Sequence, residues 1–299
     1  MSRWLFWTLL TVVSWGIWAI LPKWIGSDLT SPAHVQAAST LGIIPVIIML
    51  WMMKDTPTSG ERRRGVLLAL GSGIVSCLAN IAYFDVLGRK AEASAVIPVT
   101  ALYPAVTVLL AIPILKERLS RTQLVGIGLS LVAIYLLNVA KEADIVSPWL
   151  HIAIIAIFLW GLCGLMQKMS TEHISARLSA IWFLLSFFPI AAFILWRKPL
   201  PADVSTQSWL VAVAVGFTLA LGNFTILMAF ASGGKASIIA PMAGLYQLIS
   251  VPIAVVAFGD KLGWRQAIGI ACATLAVVML SYQSQPESAD GAPAKVDVT

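Results

Sequence analysis

ASAVIPVTALYP, residues 93–104, and ASIIAPMAGLYQ, residues 236–247, write one pattern twice: an apolar helix broken by a proline, with a tyrosine five residues later. The two copies stand 143 residues apart, and the same offset pairs Gly73 with Gly216, Asn80 with Asn223, Tyr103 with Tyr246, Gln123 with Gln266 and Gly126 with Gly269. At an offset of 145, SWGIWAILPK (14–23) aligns with LWGLCGLMQK (159–168), which superimposes Trp15-Gly16 on Trp160-Gly161 and Lys23 on Lys168. The chain is an internal duplication with a two-residue loop insertion.

Of the 299 residues, 59% are hydrophobic and 11% charged, and the mean hydropathy is +0.88. A soluble domain is about one-quarter charged, so this chain belongs in lipid. Ten apolar stretches of bilayer-spanning length fall near 5–25, 33–53, 65–87, 92–114, 121–140, 148–168, 176–196, 208–231, 236–258 and 264–283. The expected fold is an all-α integral membrane protein of ten transmembrane helices. Its repeats run over 1–143 and 144–283, and a polar, small-residue tail over 284–299 is expected to be disordered. Each repeat holds five spans, an odd number, so the second must enter the membrane from the opposite side. Inverted repeats around a midplane site are a recurring design of secondary transporters.

Topology and end signals agree with this frame. Of the 20 Lys and Arg residues most fall on the side of the N-terminus, including Arg62-Arg63-Arg64 and Lys116, Arg118 and Arg121, which predicts cytoplasmic termini. The dispersal of this +6 net charge among loops argues against a nucleic-acid partner. Trp4, Trp7, Trp24, Trp51, Trp149, Trp196, Trp209 and Trp264 lie near span ends, as an interfacial belt requires. Ser31-Pro32 and Ser147-Pro148 read as helix starts, and Ser120 with Gln123 as a capping box. The first apolar run is too long for a signal peptide and is expected to remain in the mature protein. Cys77, Cys163 and Cys272 fall within spans and read as small buried hydrophobes.

An internal proline cannot donate to the carbonyl four residues earlier, so Pro98 frees that of Ser94 and Pro241 that of Ser237. A bare carbonyl is costly against hydrocarbon. Both helices are therefore expected to face protein or a cavity, with Pro98 and Pro241 as hinges; the alternative is a pair of static packing kinks.

ALYPAVTVLLAIPILKERLSRTQLVGIGLSLVAIYLL, closing the first half, and GLYQLISVPIAVVAFGDKLGWRQAIGIACATLAVVML, closing the second, each resemble the end of an EamA domain. With the WG-bearing first spans they make the chain similar to a ten-helix EamA-type member of the drug/metabolite transporter superfamily. That resemblance implies an inner-membrane carrier, often an exporter of amino acids or other small metabolites, with a central cavity lined by both halves. It also brings an acidic-basic-Leu signature after the fourth helix of each repeat, here Glu117-Arg118-Leu119 and Asp260-Lys261-Leu262, read as interfacial ion pairs and caps. The small four-helix relatives couple proton entry through a glutamate in their first helix; the first and sixth spans here hold no carboxylate, and Asp85 and Glu92 read as solvated helix ends.

Tyr103 and Tyr246 fall at the midplane of the fourth and ninth spans, with Asn80 and Asn223 about a turn from the middle of the third and eighth. Trp15, Trp18 and Trp160 are too deep for belt residues. These seven are the candidate substrate-binding residues, the tryptophans offering faces for apolar or cationic groups; interhelical hydrogen bonding by the asparagines and core packing by the tryptophans are the alternatives. Lys23, Gln167 and Lys168 read as residues of the span ends. His34, His151 and His173 sit at span ends or in loops, so no catalytic or metal-binding constellation is visible, and no cofactor is expected. A charge ring or carbonyl filter is absent from the spans. A small-molecule carrier is thus the first reading and a lipid-head-group flippase the second.

Overall fold

The computed structural model of the chain describes residues 2–25, 28–29, 31–55, 60–89, 93–115, 120–138, 148–233, 235–260 and 263–281. Glu92, Glu117-Arg118-Leu119, Lys261-Leu262, Ser147, the junction at 143/144 and the tail from 284 onward lie outside these residues.

The apolar stretches form ten helical spans: α1 (Arg3–Trp24), α2 (Pro32–Met52), α3 (Arg62–Gly88), α4 (Ala93–Leu115), α5 (Arg121–Asn138), α6 (Leu150–Thr171), α7 (Ala176–Arg197), α8 (Thr206–Ala231), α9 (Ala236–Phe258) and α10 (Trp264–Ser281). Eight are long and apolar enough to cross a bilayer, and α5 and α10 carry shorter apolar cores over Leu124–Ala133 and Ala267–Met279. Val256 is 86% exposed and Leu210 67%, an outward apolar surface that suits hydrocarbon and would be a liability in water. Trp51, Trp196 and Trp264 are also strongly exposed at span ends, in keeping with the interfacial belt.

Packing follows the duplication. The contact of α3 with α6 has its counterpart in α8 with α1, that of α4 with α6 in α9 with α1, and that of α3 with α7 in α8 with α2. Three contacts map onto themselves: α2 with α7, α4 with α9 and α5 with α10. Exchanging each helix for the one five places on thus preserves the principal contacts, as a twofold relation between the repeats demands.

The prolines act where the sequence places them. In α4 the helix is interrupted at Ala101–Leu102, just after Pro98, and in α9 at Gly244–Tyr246, just after Pro241. Pro45 and Pro189, not singled out in the sequence, sit beside equivalent interruptions of α2 and α7, at Thr40–Ile43 and Ser186. Four broken helices therefore flank the self-paired crossings, while α3, α6 and α8 run unbroken.

The broken helices are seated by the WG pairs. A Cβ on Gly16 would stand 2.7 Å from the Cβ of Ile249, and one on Gly161 would stand 2.5 Å from that of Val106. That closeness lets the Thr107 hydroxyl donate to the Gly161 carbonyl (3.0 Å) and the Ser250 hydroxyl donate to the Gly16 carbonyl (2.8 Å). Thr107 and Ser250 are again 143 residues apart. Elsewhere, Thr11 and Thr225 share a buried hydroxyl contact of 2.8 Å between α1 and α8. Outside the spans, Asp28 accepts from the Ser208 hydroxyl (2.7 Å) and the Ser205 amide (2.6 Å). Those bonds, the Ser208 one first, hold its carboxyl well below the usual carboxylate range and tie the α1–α2 loop to the start of α8.

Gly16→Ala and Gly161→Ala are each expected to destabilise the fold by about 1–3 kcal/mol through overpacking. Gly128→Ala, on α5 with nothing within 4 Å of the added Cβ, is expected to be neutral or to gain up to about 1 kcal/mol of helix propensity. Thermal melting in detergent reads the difference; equal shifts for Gly161→Ala and Gly128→Ala would contradict the seating.

Candidate functional site

At the centre of the molecule α1, α3, α4, α6, α8 and α9 enclose a cavity of ≈ 40 Å³ lined by Trp15, Trp18, Ser76, Tyr103, Trp160, Cys163, Gly164, Gln167, Leu219, Asn223, Ile226, Ala240 and Tyr246. Six of the seven residues expected from the sequence are on this wall, contributed by both repeats. A water needs about 10–15 Å³ of such space, so in this conformation the cavity admits water and excludes a metabolite.

Aromatic rings form most of the enclosure. Tyr103 stands edge-on to both Trp15 and Trp160 at 6.3 Å, and Trp160 meets Trp18 at 5.7 Å. Behind them Tyr83 stacks on Trp18 (5.2 Å, 24°) and touches Trp160 (5.2 Å). Its hydroxyl donates to the Ala19 carbonyl at 2.6 Å, which locks the ring and through it the two tryptophans. Neither Tyr83 nor the adjacent Phe84 has an aromatic counterpart 143 residues on, where Ile226 and Leu227 stand, so the repeat offered no signal for them.

The asparagines differ from one another. Asn223 lines the cavity, accepts from the Gln167 amide (2.8 Å) and donates to the Leu219 carbonyl (2.9 Å). Asn80 is fully buried behind the wall, and its side-chain oxygen accepts from the Trp160 indole at 3.1 Å. Asn80 thus positions a lining residue instead of lining the cavity itself. The sequence places Gln167 at the end of a sixth span closing at 168; α6 continues to Thr171, which sinks Gln167 to 2% exposure on the cavity wall. Its neighbour Lys168 does reach the periphery and pairs with Glu172 at 3.7 Å. Cys163, read as a plain hydrophobe, also lines the cavity.

Among the described residues of the wall, the buried polar groups without a protein partner are indoles and phenols. The indole N–H groups of Trp15 and Trp18 and the hydroxyls of Tyr103 and Tyr246 are buried and lack hydrogen bonds, the Tyr246 hydroxyl facing Thr100 outside bonding geometry. No lining residue is charged. Such a wall offers N–H and O–H to an acceptor and π-faces to an apolar or cationic group.

A wider cavity of ≈ 500 Å³ lies at the ends of α1 and α3, lined by Lys23, Phe84, Asp85 and Arg89 among others. Asp85 pairs there with Arg89 at 2.8 Å, both partly exposed, as a solvated helix end should. Phe84, in ring contact with Trp18 at 6.3 Å, stands between this vestibule and the central cavity.

The model of the EamA-like transporter family matches the chain twice, over residues 2–139 and 147–282. An uncharacterised protein of Methanocaldococcus jannaschii is 31% identical over 101 residues, covering 34% of this chain and 72% of that protein. A crystal structure of a protein, 17% identical, aligns over 92% of this chain and 98% of its own with a TM-score of 0.65, and so shares the fold.

Asn223→Leu strands the buried Gln167 amide, and Asn80→Leu the buried Trp160 indole. Each is expected to cost about 1–3 kcal/mol of stability. Trp160→Phe in the Asn80→Leu background is expected to recover part of the loss, because no donor is then left over, whereas it should not rescue Asn223→Leu. Melting temperatures of the two double variants decide; equal rescue of both would remove the distinct roles assigned to the two amides.

Proposed function

Because the chain belongs to the EamA-like transporter family, whose members are membrane transporters of small molecules, we propose that it is a secondary transporter working by alternating access. Its substrate site is the central cavity, with Trp15, Trp18, Tyr103, Trp160, Asn223 and Tyr246 on the wall and Asn80 behind Trp160. The chain is a multi-pass membrane protein; placement in a bacterial inner membrane, cytoplasmic termini, and export as the direction are parts of the proposal.

The observation that carries this reading is one small cavity walled from both repeats by aromatic residues, four of whose buried indole and phenol groups lack a protein partner. Indole and phenol donors suit a substrate carboxylate or carbonyl. The aromatic faces suit an ammonium or an apolar side chain. With no charge on the wall, a net ionic substrate would meet the cost of a charge at membrane depth, about 2.5–3.5 kcal/mol. A zwitterion or neutral solute avoids most of it, and an amino acid combines all three properties. The small volume fits a closed stage of the cycle, and the interrupted helices α2, α4, α7 and α9 fit the hinges that opening requires.

Purified protein in liposomes is expected to exchange radiolabelled amino acids in counterflow and to leave fluorescent lipids unscrambled; the reverse result would replace the carrier with a flippase. Tyr103→Phe and Tyr246→Phe remove one hydroxyl each. They are expected to lower the initial rate about tenfold, the equivalent of about 1.4 kcal/mol, with little change in melting temperature. Full activity in both would move the site elsewhere. Because α1 and α6 hold no carboxylate beyond the peripheral Glu172 cap, transport is expected to survive collapse of the proton gradient, with Asp85→Asn unchanged.

A further inference from the structure

Asp260, the described residue of the acidic-basic-Leu signature that follows the fourth helix of each repeat, is not on the cavity wall, yet it makes a specific bond. α9 ends at Gly259, whose left-handed backbone (φ 67°) turns the chain. The next residue, Asp260, accepts from the backbone amide of Ser94 at 2.9 Å, across 166 residues of sequence. Ser94 is fully buried in the first turn of α4. First-turn amides have no partner within their helix, and the positive end of the helix dipole strengthens a bond to carboxylate. This first half of α4 packs against the second half of α9. The carboxylate therefore ties off one end of the α4–α9 crossing beside the cavity.

We propose that Asp260 is a positioning residue for transport: seated on the first turn of α4, it holds the cavity shut towards the membrane face on which α4 begins. Opening to that face requires the bond to break. In sequence Glu117 is the counterpart of Asp260, and Ser237 that of Ser94, each at the 143-residue offset.

The inference rests on the alternating-access reading, so its test reads solvent access apart from transport. The chain has three cysteines; with Cys77→Ser and Cys272→Ser, Cys163 on the cavity wall is the sole thiol. The full-length protein in sealed vesicles of either orientation is treated with a membrane-impermeant methanethiosulfonate ammonium reagent. Asp260→Ala is expected to raise the labelling rate of Cys163 about tenfold or more, a shift of about 1.4 kcal/mol or more, from the face where α4 begins and not from the other. Ser94→Pro deletes the donor at a first-turn position that tolerates proline and is expected to act alike. Asp260→Asn, which keeps an acceptor oxygen, should fall between. Unchanged labelling in folded Asp260→Ala and Ser94→Pro, or an equal rise from both faces, overturns the proposal. A one-faced rise in a protein that transports no amino acid keeps the closure and overturns the substrate reading instead.

Discussion

The Thr107 hydroxyl donating to Gly161 and the Ser250 hydroxyl donating to Gly16 set how closely each broken helix lies on the first helix of the opposite repeat. Hydrophobic burial cannot fix such a position, because lipid tails are as apolar as the helices they would displace. Close approach has to come from small residues, and register from polar bonds. The WG pairs supply the first, and the two hydroxyls the second. With α4 on α6 and α9 on α1, Tyr103 and Tyr246 are carried to the cavity between Trp15 and Trp160, and the rest of the wall follows from that placement.

The architecture was legible because it is periodic and duplicated. Ten apolar runs became ten helical spans with ends within a few residues of those expected, and the odd count per repeat implied the inversion. Tyr103, Tyr246, Trp15 and Trp160 could be found because each has an echo. What escaped was what the repeats do not share. Gln167 aligns with Pro22, and its depth depended on a helix end misplaced by three residues. Tyr83 fills space between helices, and which face it takes depends on packing that no linear spacing encodes. Pro45 and Pro189 were echoes left unread.

The same comparison explains why Asn80 and Asn223 diverge. Trp160 donates to Asn80 across the two halves, whereas Trp15 makes no equivalent bond and the oxygen of Asn223 accepts from Gln167 instead. The difference between Gln167 and its counterpart Pro22 thus leaves the two repeat-related asparagines with different partners. A duplicated ancestor with two alike halves offers a symmetric wall, whereas a substrate with distinct ends needs an asymmetric one.

The single hydroxyl proton of Ser250 has two carbonyls within reach, that of Gly16 across the interface and, at 3.2 Å, that of Tyr246 one turn back in its own helix. Gly16, as a helical residue, keeps its carbonyl engaged along α1, and a carbonyl oxygen has two lone pairs. If α9 slides off α1, the hydroxyl falls back on Tyr246 and the carbonyl retains its helical partner. Neither group is stranded in hydrocarbon, where a lone polar atom costs several kcal/mol. The joint is thus specific in place and inexpensive to part, with no high electrostatic barrier at the contact that aligns the two halves.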